Sequence, residues 1–430
     1  MKLYKHLLIL LLLGLGCSCK CEILRSADGK TVPYAGNYSS KRIHLPEYRK
    51  KNGEFRGIWV ATVKNIDFPL SQSASDFKKS YSQVLTNAKK AGFNAVIFQI
   101  RPNADAFYRS KLNPWSQYLS GSCGKEIQGF DPLGYMVAET HRYGMEFHAW
   151  LNPFRVCGTT KLSKSQYLKT LPENHFARKN PHLVLYYPSE QKGLFSLQLD
   201  PGAPEVRSHI FQTVGELVQN YRIDAIHFDD YFYPYSDIGT ADANTFKKHN
   251  SSNMNLGNWR RNNVNLVIKG IHQRLKEYNS AKKTNIQFGI SPFGIWGNRK
   301  NLNAGSLTGG KESYFTNYAD TRLWIRQGWI DYIAPQLYWS FGHKTAAYAA
   351  LCDWWCQQTK NTKVKLYIGI APYQLGSNST WGKYELANQL RYNSSRPVAG
   401  TIWFSYSKVF APLNPTMKQG VDNALRLWKK

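Results

Sequence analysis

This sequence is short of acidic residues, of clustered cysteines and of long apolar runs. It has 28 Asp and Glu against 56 Lys and Arg, a formal charge of +28. That imbalance favours anionic partners: nucleic acid, acidic lipid head groups or an acidic polymer. None of its seven cysteines stands in a CxxC or Cys/His cluster, so no zinc site is expected. No apolar run after residue 15 reaches the roughly 18 residues that a membrane helix needs. There are no low-complexity tracts and no fixed-period repeats, which argues against disorder and solenoids. A GxGxxG phosphate turn is missing too, and with it the main reason to prefer an open doubly wound sheet.

What is present is aromatic. The 430 residues are 42% hydrophobic and hold 13 Trp, 27 Tyr and 21 Phe, enough for one barrel-sized core or two to three smaller ones. The first stretch, "MKLYKHLLILLLLGLGCSC", has Lys2 and Lys5, an apolar segment and then small residues with cysteine. It reads as a lipoprotein signal peptide with acylation at Cys17, or at Cys19. Ordinary secretion is the alternative. Residues 1–21 are thus expected to be leader and tether, 22–53 a lead-in, and 54–430 the folded domain. Removing Lys2 and Lys5 leaves 28 − 2 = +26. Export argues against nucleic acid as the partner. Beyond the leader, Cys352 and Cys356 share one face of an expected helix and read as buried free thiols, while a Cys123–Cys157 disulfide is conceivable in an oxidising compartment.

From about residue 54 an alternation repeats eight times. Short β-branched or aromatic runs ("FRGIWVATV", "NAVIFQIRP", "EFHAWLNPF", "DAIHFDD", "QFGISPFG", "DYIAPQLYW", "KLYIGIAP", "VAGTIWFSY") are separated by amphipathic helical stretches. Eight such units predict an α/β fold, a (β/α)8 TIM barrel. Helix-to-strand joins are tiny, whereas strand-to-helix joins are long, above all 155–199, 232–258 and 295–317. A barrel enzyme elaborates the loops at the C-terminal ends of its strands, around its site.

Alternation along each strand selects the rim residues. On the second strand Gln99, Arg101, Asn103 and Asp105 share one parity and read as a substrate-facing wall. Asn65 and Asp67 follow the first strand. The third strand gives His148, Trp150 and Asn152, and the sixth gives Gln336 and Tyr338, with Trp339 beside them. Asp200 reads as a turn or helix-start residue. In "IHFDDYFYPY" parity sends Ile226 and Phe228 to the helices and His227, Asp229 and Tyr231 to the barrel mouth, with Asp230 at the flank. Carboxylates ringed by aromatics suit a carbohydrate: sugar rings stack on aromatics, and acetal cleavage uses carboxyl groups as acid, base or nucleophile.

The stretches "FRGIWVATVKNIDFP", "FQIRPNADAFY", "HAWLNPFR", "LDPGAPEVR", "IDAIHFDDYFYPY", "FGISPFGIW" and "WIDYIAPQLYW" resemble the glycosyl-hydrolase-like family 10 barrels of exported bacterial lipoproteins, over about residues 55–407. The resemblance implies O-glycosyl hydrolysis, chiefly of peptidoglycan strands stripped of stem peptides. A looser similarity joins "DAIHFDDY" to the D-G-x-D-x-D-x-E strand of chitinase-type barrels. Asp224 and Asp229 are in register, but His227 replaces the second acidic residue and Tyr231 the glutamate acid, which leaves the proton donor open between Asp230 and Asp105.

The expected protein is therefore a lipid-anchored glycoside hydrolase of the cell envelope. Asp229, Asp230 and Asp105 are its catalytic candidates, and Arg101, Asn103, Asn152, Tyr231, Gln336, Tyr338 and Trp339 its substrate contacts. No metal or cofactor is called for, and nothing speaks to oligomeric state. An enzyme for another exported polysaccharide and a non-catalytic glycan-binding lipoprotein are the rival readings. Strands without peptides carry free lactyl carboxylates, so attraction to a +26 chain should be long-ranged and screened by salt. Binding to such strands is expected to weaken steadily as ionic strength rises; salt-independent binding would refute an electrostatic contribution.

Overall fold

The computed structural model describes residues 21–26 and 28–429; the leader and the lipidation site at Cys17 lie outside the described residues. Eight parallel strands close into one barrel. They are β1 (Phe55–Val60), β2 (Ala95–Arg101), β3 (Glu146–Leu151), β4 (Ala225–Phe228), β5 (Gln287–Ile290), β6 (Tyr332–Ile333), β7 (Lys365–Ile370) and β8 (Gly400–Trp403). Closure is made by β8 beside β1, with Ile402 opposite Gly57. A major helix follows each strand: α1 (Ala74–Ala91), α2 (Pro132–Arg142), α3 (Pro204–Asn220), α4 (Leu256–Lys282), α5 (Thr321–Gln327), α6 (Tyr348–Thr359), α7 (Glu385–Ser394) and α8 (Pro415–Trp428). This is the (β/α)8 barrel that the alternation predicts.

Local chemistry explains the elements. Helix α1 starts where the Ser73 side chain accepts a hydrogen bond from the Asp76 N–H, and it stops at Gly92, which is in the left-handed conformation. Its buried Phe77, Tyr81, Val84, Leu85 and Ala88 form one stripe against the sheet. Inside the barrel a separate apolar layer contains Phe55, Ile97, Tyr332, Tyr367 and Ile402, with Phe55 stacked on Tyr367 at 4.2 Å between ring centroids. Ile226 and Phe228 instead join the core between sheet and helices. The lead-in forms a short antiparallel pair, Glu22–Ile23 with His44–Leu45. It is tied to the last helices by Tyr34 to Asp353 (3.1 Å) and by Lys51 Nζ to the carbonyl of Asn393 (3.1 Å).

Two sequence expectations change. The long 155–199 join carries an antiparallel three-stranded sheet (Arg155–Thr160, Phe195–Leu199, Val184–Pro188, in that spatial order) laid over the mouth. Cys123 and Cys157 are free thiols, as are Cys352 and Cys356, so the conceivable disulfide is not formed.

Gly289 on β5 shows how tightly the interior is filled. A Cβ built there would come within 1.8 Å of Tyr332 Cζ. Gly289→Ala should therefore cost about 3 kcal/mol or more of stability, the upper range for overpacking. Chemical denaturation measures this, and an unchanged midpoint would refute the close approach.

Candidate active site

Strand β4 ends at Phe228, and the next two residues deliver both carboxyl groups to a cavity of about 440 Å³ at the C-terminal mouth of the barrel. The loop that carries them is anchored by its own aromatics. Phe232 and Tyr233 are buried, Phe232 edge-on to Trp324 and Tyr233 edge-on to Tyr318. Tyr231 and Tyr235 line the cavity instead, at right angles to each other.

The two aspartates have different surroundings. Asp229 accepts hydrogen bonds from Asn152 Nδ2 (3.0 Å), Gln336 Nε2 (3.3 Å) and the Asp230 N–H (2.9 Å). Asn152 is oriented by Gln99 Nε2 (2.6 Å), and Gln99 in turn accepts from the Thr62 and Val63 N–H groups. Asp229 is thus fixed as an acceptor. Asp230 takes a hydrogen bond from the Tyr235 hydroxyl on Oδ2, while its Oδ1 is buried without a partner. Burial, reinforced by the neighbouring Asp229 carboxylate, pushes the Asp230 pKa well above the usual carboxylate range; the Tyr235 hydrogen bond opposes that shift.

Below the pair runs a polar chain inside the barrel. Trp59 Nε1 lies 3.3 Å from His227 Nε2, and an indole N–H can only donate. His227 Nε2 is therefore the acceptor, serving the Ser291 hydroxyl (2.9 Å) as well, and its proton sits on Nδ1. That N–H donates to the Tyr332 hydroxyl oxygen (2.9 Å), whose own proton goes to His148 Nδ1 (2.8 Å). His148 Nε2–H then donates to the Glu146 carboxylate (3.0 Å) at the other end of the barrel. Burial, followed by the nearby His148, holds His227 well below its ordinary pKa, in keeping with a neutral ring. The place of the chitinase-type second acid is thus taken by a neutral histidine that steadies Trp59 and Ser291, both of which line the cavity.

The expected contacts divide. Tyr231, Gln336, Tyr338 and Trp339 line the cavity with Asp229 and Asp230. Asn152 is fully buried and reaches Asp229 from behind. The wall expected from Gln99 to Asp105 is broken, because the β2–β3 register shifts between Gln99 and Arg101. Gln99 keeps the inward position. Arg101 turns into the loops and donates from Nη1 to the carbonyls of Asn152 (2.9 Å) and Pro153 (3.1 Å). Beyond Ala104, at positive φ, Asp105 accepts from the Asn103 N–H (2.8 Å), and both residues line a neighbouring cavity of about 400 Å³. The structure therefore does not bring Asp105 to the Asp229–Asp230 pair. Asp224 lies at the opposite end of β4, where it accepts from the Phe147 N–H (2.7 Å), and Asp67 accepts from Ser405 Oγ and the Ser407 N–H (both 2.8 Å). Asp200 accepts from the Gly202 N–H (2.8 Å), a turn role.

Trp150 lines the cavity, as its parity predicts. So do Tyr235, one of the aromatics beside the aspartates in sequence, and Trp59, Arg155, Ser291, Phe293 and Phe404, which were not selected from sequence. Parity could have nominated Trp59, but only the closed barrel brings Arg155 and Phe404 together. Among the described residues no cluster of three or more His, Cys, Asp and Glu could hold a metal ion.

A barrel with a mouth cavity, an aromatic rim and adjacent carboxyls is an architecture that suits glycoside hydrolysis. The chain belongs to the family Glycosyl hydrolase-like 10, whose pattern it matches over residues 54–384. It is 44% identical to Glycosyl hydrolase YngK of Bacillus subtilis (strain 168) over 355 residues, covering 81% of this chain but only 64% of that protein. It is 38% identical to Glycosyl hydrolase DigH of Escherichia coli (strain K12) over 369 residues, covering 81% of this chain and 82% of that one. Among solved structures it shares its fold with the PgaB (BpsB) glycoside hydrolase domain from Bordetella bronchiseptica, at a TM-score of 0.53, 10% identity and coverage of 86% and 98%.

His227→Phe would strip the Trp59 and Ser291 donors and the Tyr332 hydroxyl of their shared partner. It should cost on the order of 3 kcal/mol in stability, as buried polar groups lose their bonds. Urea denaturation reads this out, and a stability equal to the parent's would refute the chain.

Proposed function

We propose that the protein hydrolyses O-glycosidic bonds in peptidoglycan strands lacking stem peptides, with Asp229 and Asp230 as its catalytic pair. The observation that carries this reading is the asymmetry of two adjacent carboxyls in an aromatic-lined cavity: Asp229 oriented by three donors with acceptor capacity to spare, Asp230 buried and driven toward its protonated form. The Asp229 and Asp230 side chains interact directly with each other, which does not suit a pair that straddles a sugar at the separation of about 5–5.5 Å or 6.5–9.5 Å that direct retaining and inverting mechanisms use. A substrate-assisted route fits better. The 2-acetamido oxygen of the sugar attacks C1, Asp229 accepts the acetamido N–H, and Asp230 gives its proton to the leaving glycosidic oxygen. Water then adds at C1 while Asp230 takes a proton back.

Tyr231, Tyr338 and Trp339 offer ring faces for the sugar, and Gln336 links Asp229 to the Ser291 carbonyl (2.9 Å). The excess of positive charge supports an anionic strand over a neutral polysaccharide. The N-terminal stretch supports export and a lipid anchor at Cys17 in the cell envelope.

Mass spectrometry of products from de-peptidated strands, intact peptidoglycan and neutral polysaccharides tests the substrate; cleavage of neutral chains alone would refute it. Asp230→Asn should lower turnover about 10²–10⁴-fold with folding intact, and Asp229→Asn should also remove most activity. Asp230 must be protonated to donate, so turnover should hold at pH values below its raised pKa and fall as pH rises through it. Tyr235→Phe removes a hydrogen bond that favours the charged form, so the falling limb should move to higher pH. A limb that stays put or moves down would refute Asp230 as the acid.

A further inference from the structure

Among the described residues, the cavity that holds the two aspartates is lined by one cation, Arg155. Arg101, buried in the loops outside this cavity, is held by the carbonyls of Asn152 and Pro153, whereas two further arginines are neutralised by acids. Arg260 clasps Asp242 through Nε (2.7 Å) and Nη2 (2.6 Å), and Arg396 pairs with Asp353 (2.5 Å). Arg155 has no such partner among the described residues. Its Nε donates to the Pro102 carbonyl (2.9 Å), its Nη2 is buried with no hydrogen-bond partner, and the guanidinium lies 5.2 Å from the centroid of the Tyr231 ring. The two aspartates do not serve as its counter-ions, since Asp229 is taken up by Asn152, Gln336 and the Asp230 N–H, and Asp230 by Tyr235. The backbone at Arg155 is held by pairing with Gln198 in the inserted sheet, so the charge is presented from a strand end rather than from a loose loop. What sets Arg155 apart is that its unpartnered Nη2 belongs to a residue lining the cavity, where a ligand could supply the missing acceptor.

We propose that Arg155 is the specificity-determining residue of this cavity and reads a carboxylate carried on a sugar ring, as in a lactyl ether or a uronic acid. The proposal rests on the glycan-hydrolase reading above and names the group within the glycan that the site selects. The planar guanidinium fork matches a carboxylate in two parallel hydrogen bonds. Tyr231, 37% exposed beneath it, supplies a face for the ring that bears the carboxylate. The inserted sheet thereby acquires a purpose at the mouth: it carries the reader of charge to the rim where the catalytic pair is fixed.

The test measures dissociation constants and kcat/KM for the full chain on de-peptidated strands and on the same strands with their carboxyls reduced to alcohols. A uronic-acid polymer and its carboxyl-reduced form make the second arm. Wild type should prefer the carboxylated member of a pair. Arg155→Gln should lower that preference about ten- to a hundredfold, the span of a charge-assisted contact, and Arg155→Lys should retain part of it. A wild-type preference near unity overturns the proposal, as does an Arg155→Gln variant that weakens both members of a pair equally. If Arg155→Gln fails to fold, the wild-type preference together with Arg155→Lys decides. Should only the uronic-acid arm bind and respond to Arg155, the proposal stands and the peptidoglycan reading falls. If de-peptidated strands are cleaved but the variant keeps the wild-type preference, the peptidoglycan reading stands and the proposal falls.

Discussion

An indole N–H can only donate, and from that one constraint at Trp59 the polar interior of the barrel takes its direction. His227 must accept at Nε2, so its proton lies on Nδ1, Tyr332 must accept that proton's bond and pass its own to His148, and His148 must turn toward Glu146. Each link has one orientation. The chain ends on the Glu146 carboxylate at the opposite end and gives each ring and hydroxyl a partner, which is how four polar side chains can lie inside a barrel otherwise filled by Phe, Ile and Tyr. Its upper end fixes Trp59 and Ser291, and the carbonyl of Ser291 holds Gln336 against Asp229. The position of the site's central carboxylate is therefore set partly by the barrel's own core.

Above that floor, two identical side chains diverge because of their surroundings. Asp229 meets three donors, and each of them satisfies a carboxylate oxygen. Asp230 meets one hydroxyl, a dry environment and a neighbouring carboxylate, all but the hydroxyl opposing ionisation. Acid catalysis makes use of such a difference, in which burial raises the pKa of one carboxyl while its neighbour is held as an acceptor. Adjacent positions on a strand end obtain it without a long-range partner, because each residue turns to a different set of neighbours.

How legible this was in the sequence depends on how far each inference reached. Period-two alternation is local, so the parity that turns Asp229 inward and Ile226 and Phe228 outward could be read directly. The eight βα units and the tiny helix-to-strand joins were equally legible. Parity failed on β2 beyond Gln99, because a register shift with its neighbour rotates Arg101 into the loops and a positive-φ residue carries Asn103 and Asp105 to another cavity. Such a shift depends on the partner strand and leaves no mark in the residues themselves. Asn152 was legible as a rim residue, but that it serves Asp229 from behind was not. Arg155 and Phe404 were missed because they come from the start of the inserted sheet and the edge of the last strand, which only closure brings together; Tyr235 was legible as one of the aromatics beside the aspartates, but its hydrogen bond to Asp230 was not.

By itself the sequence determined the class of fold, the end of the barrel with the elaborated loops and the strand that delivers two adjacent aspartates there, because periodicity, loop length and local composition are properties of contiguous residues. Tertiary structure alone decided which polar residues surround that pair, which aspartate has its pKa raised by burial, and which arginine faces the cavity without a carboxylate bonded to it. Those outcomes depend on burial and on hydrogen bonds between residues as much as 107 positions apart, such as Gln336 and Asp229. Burial and hydrogen bonding of that kind exist only once the barrel has closed.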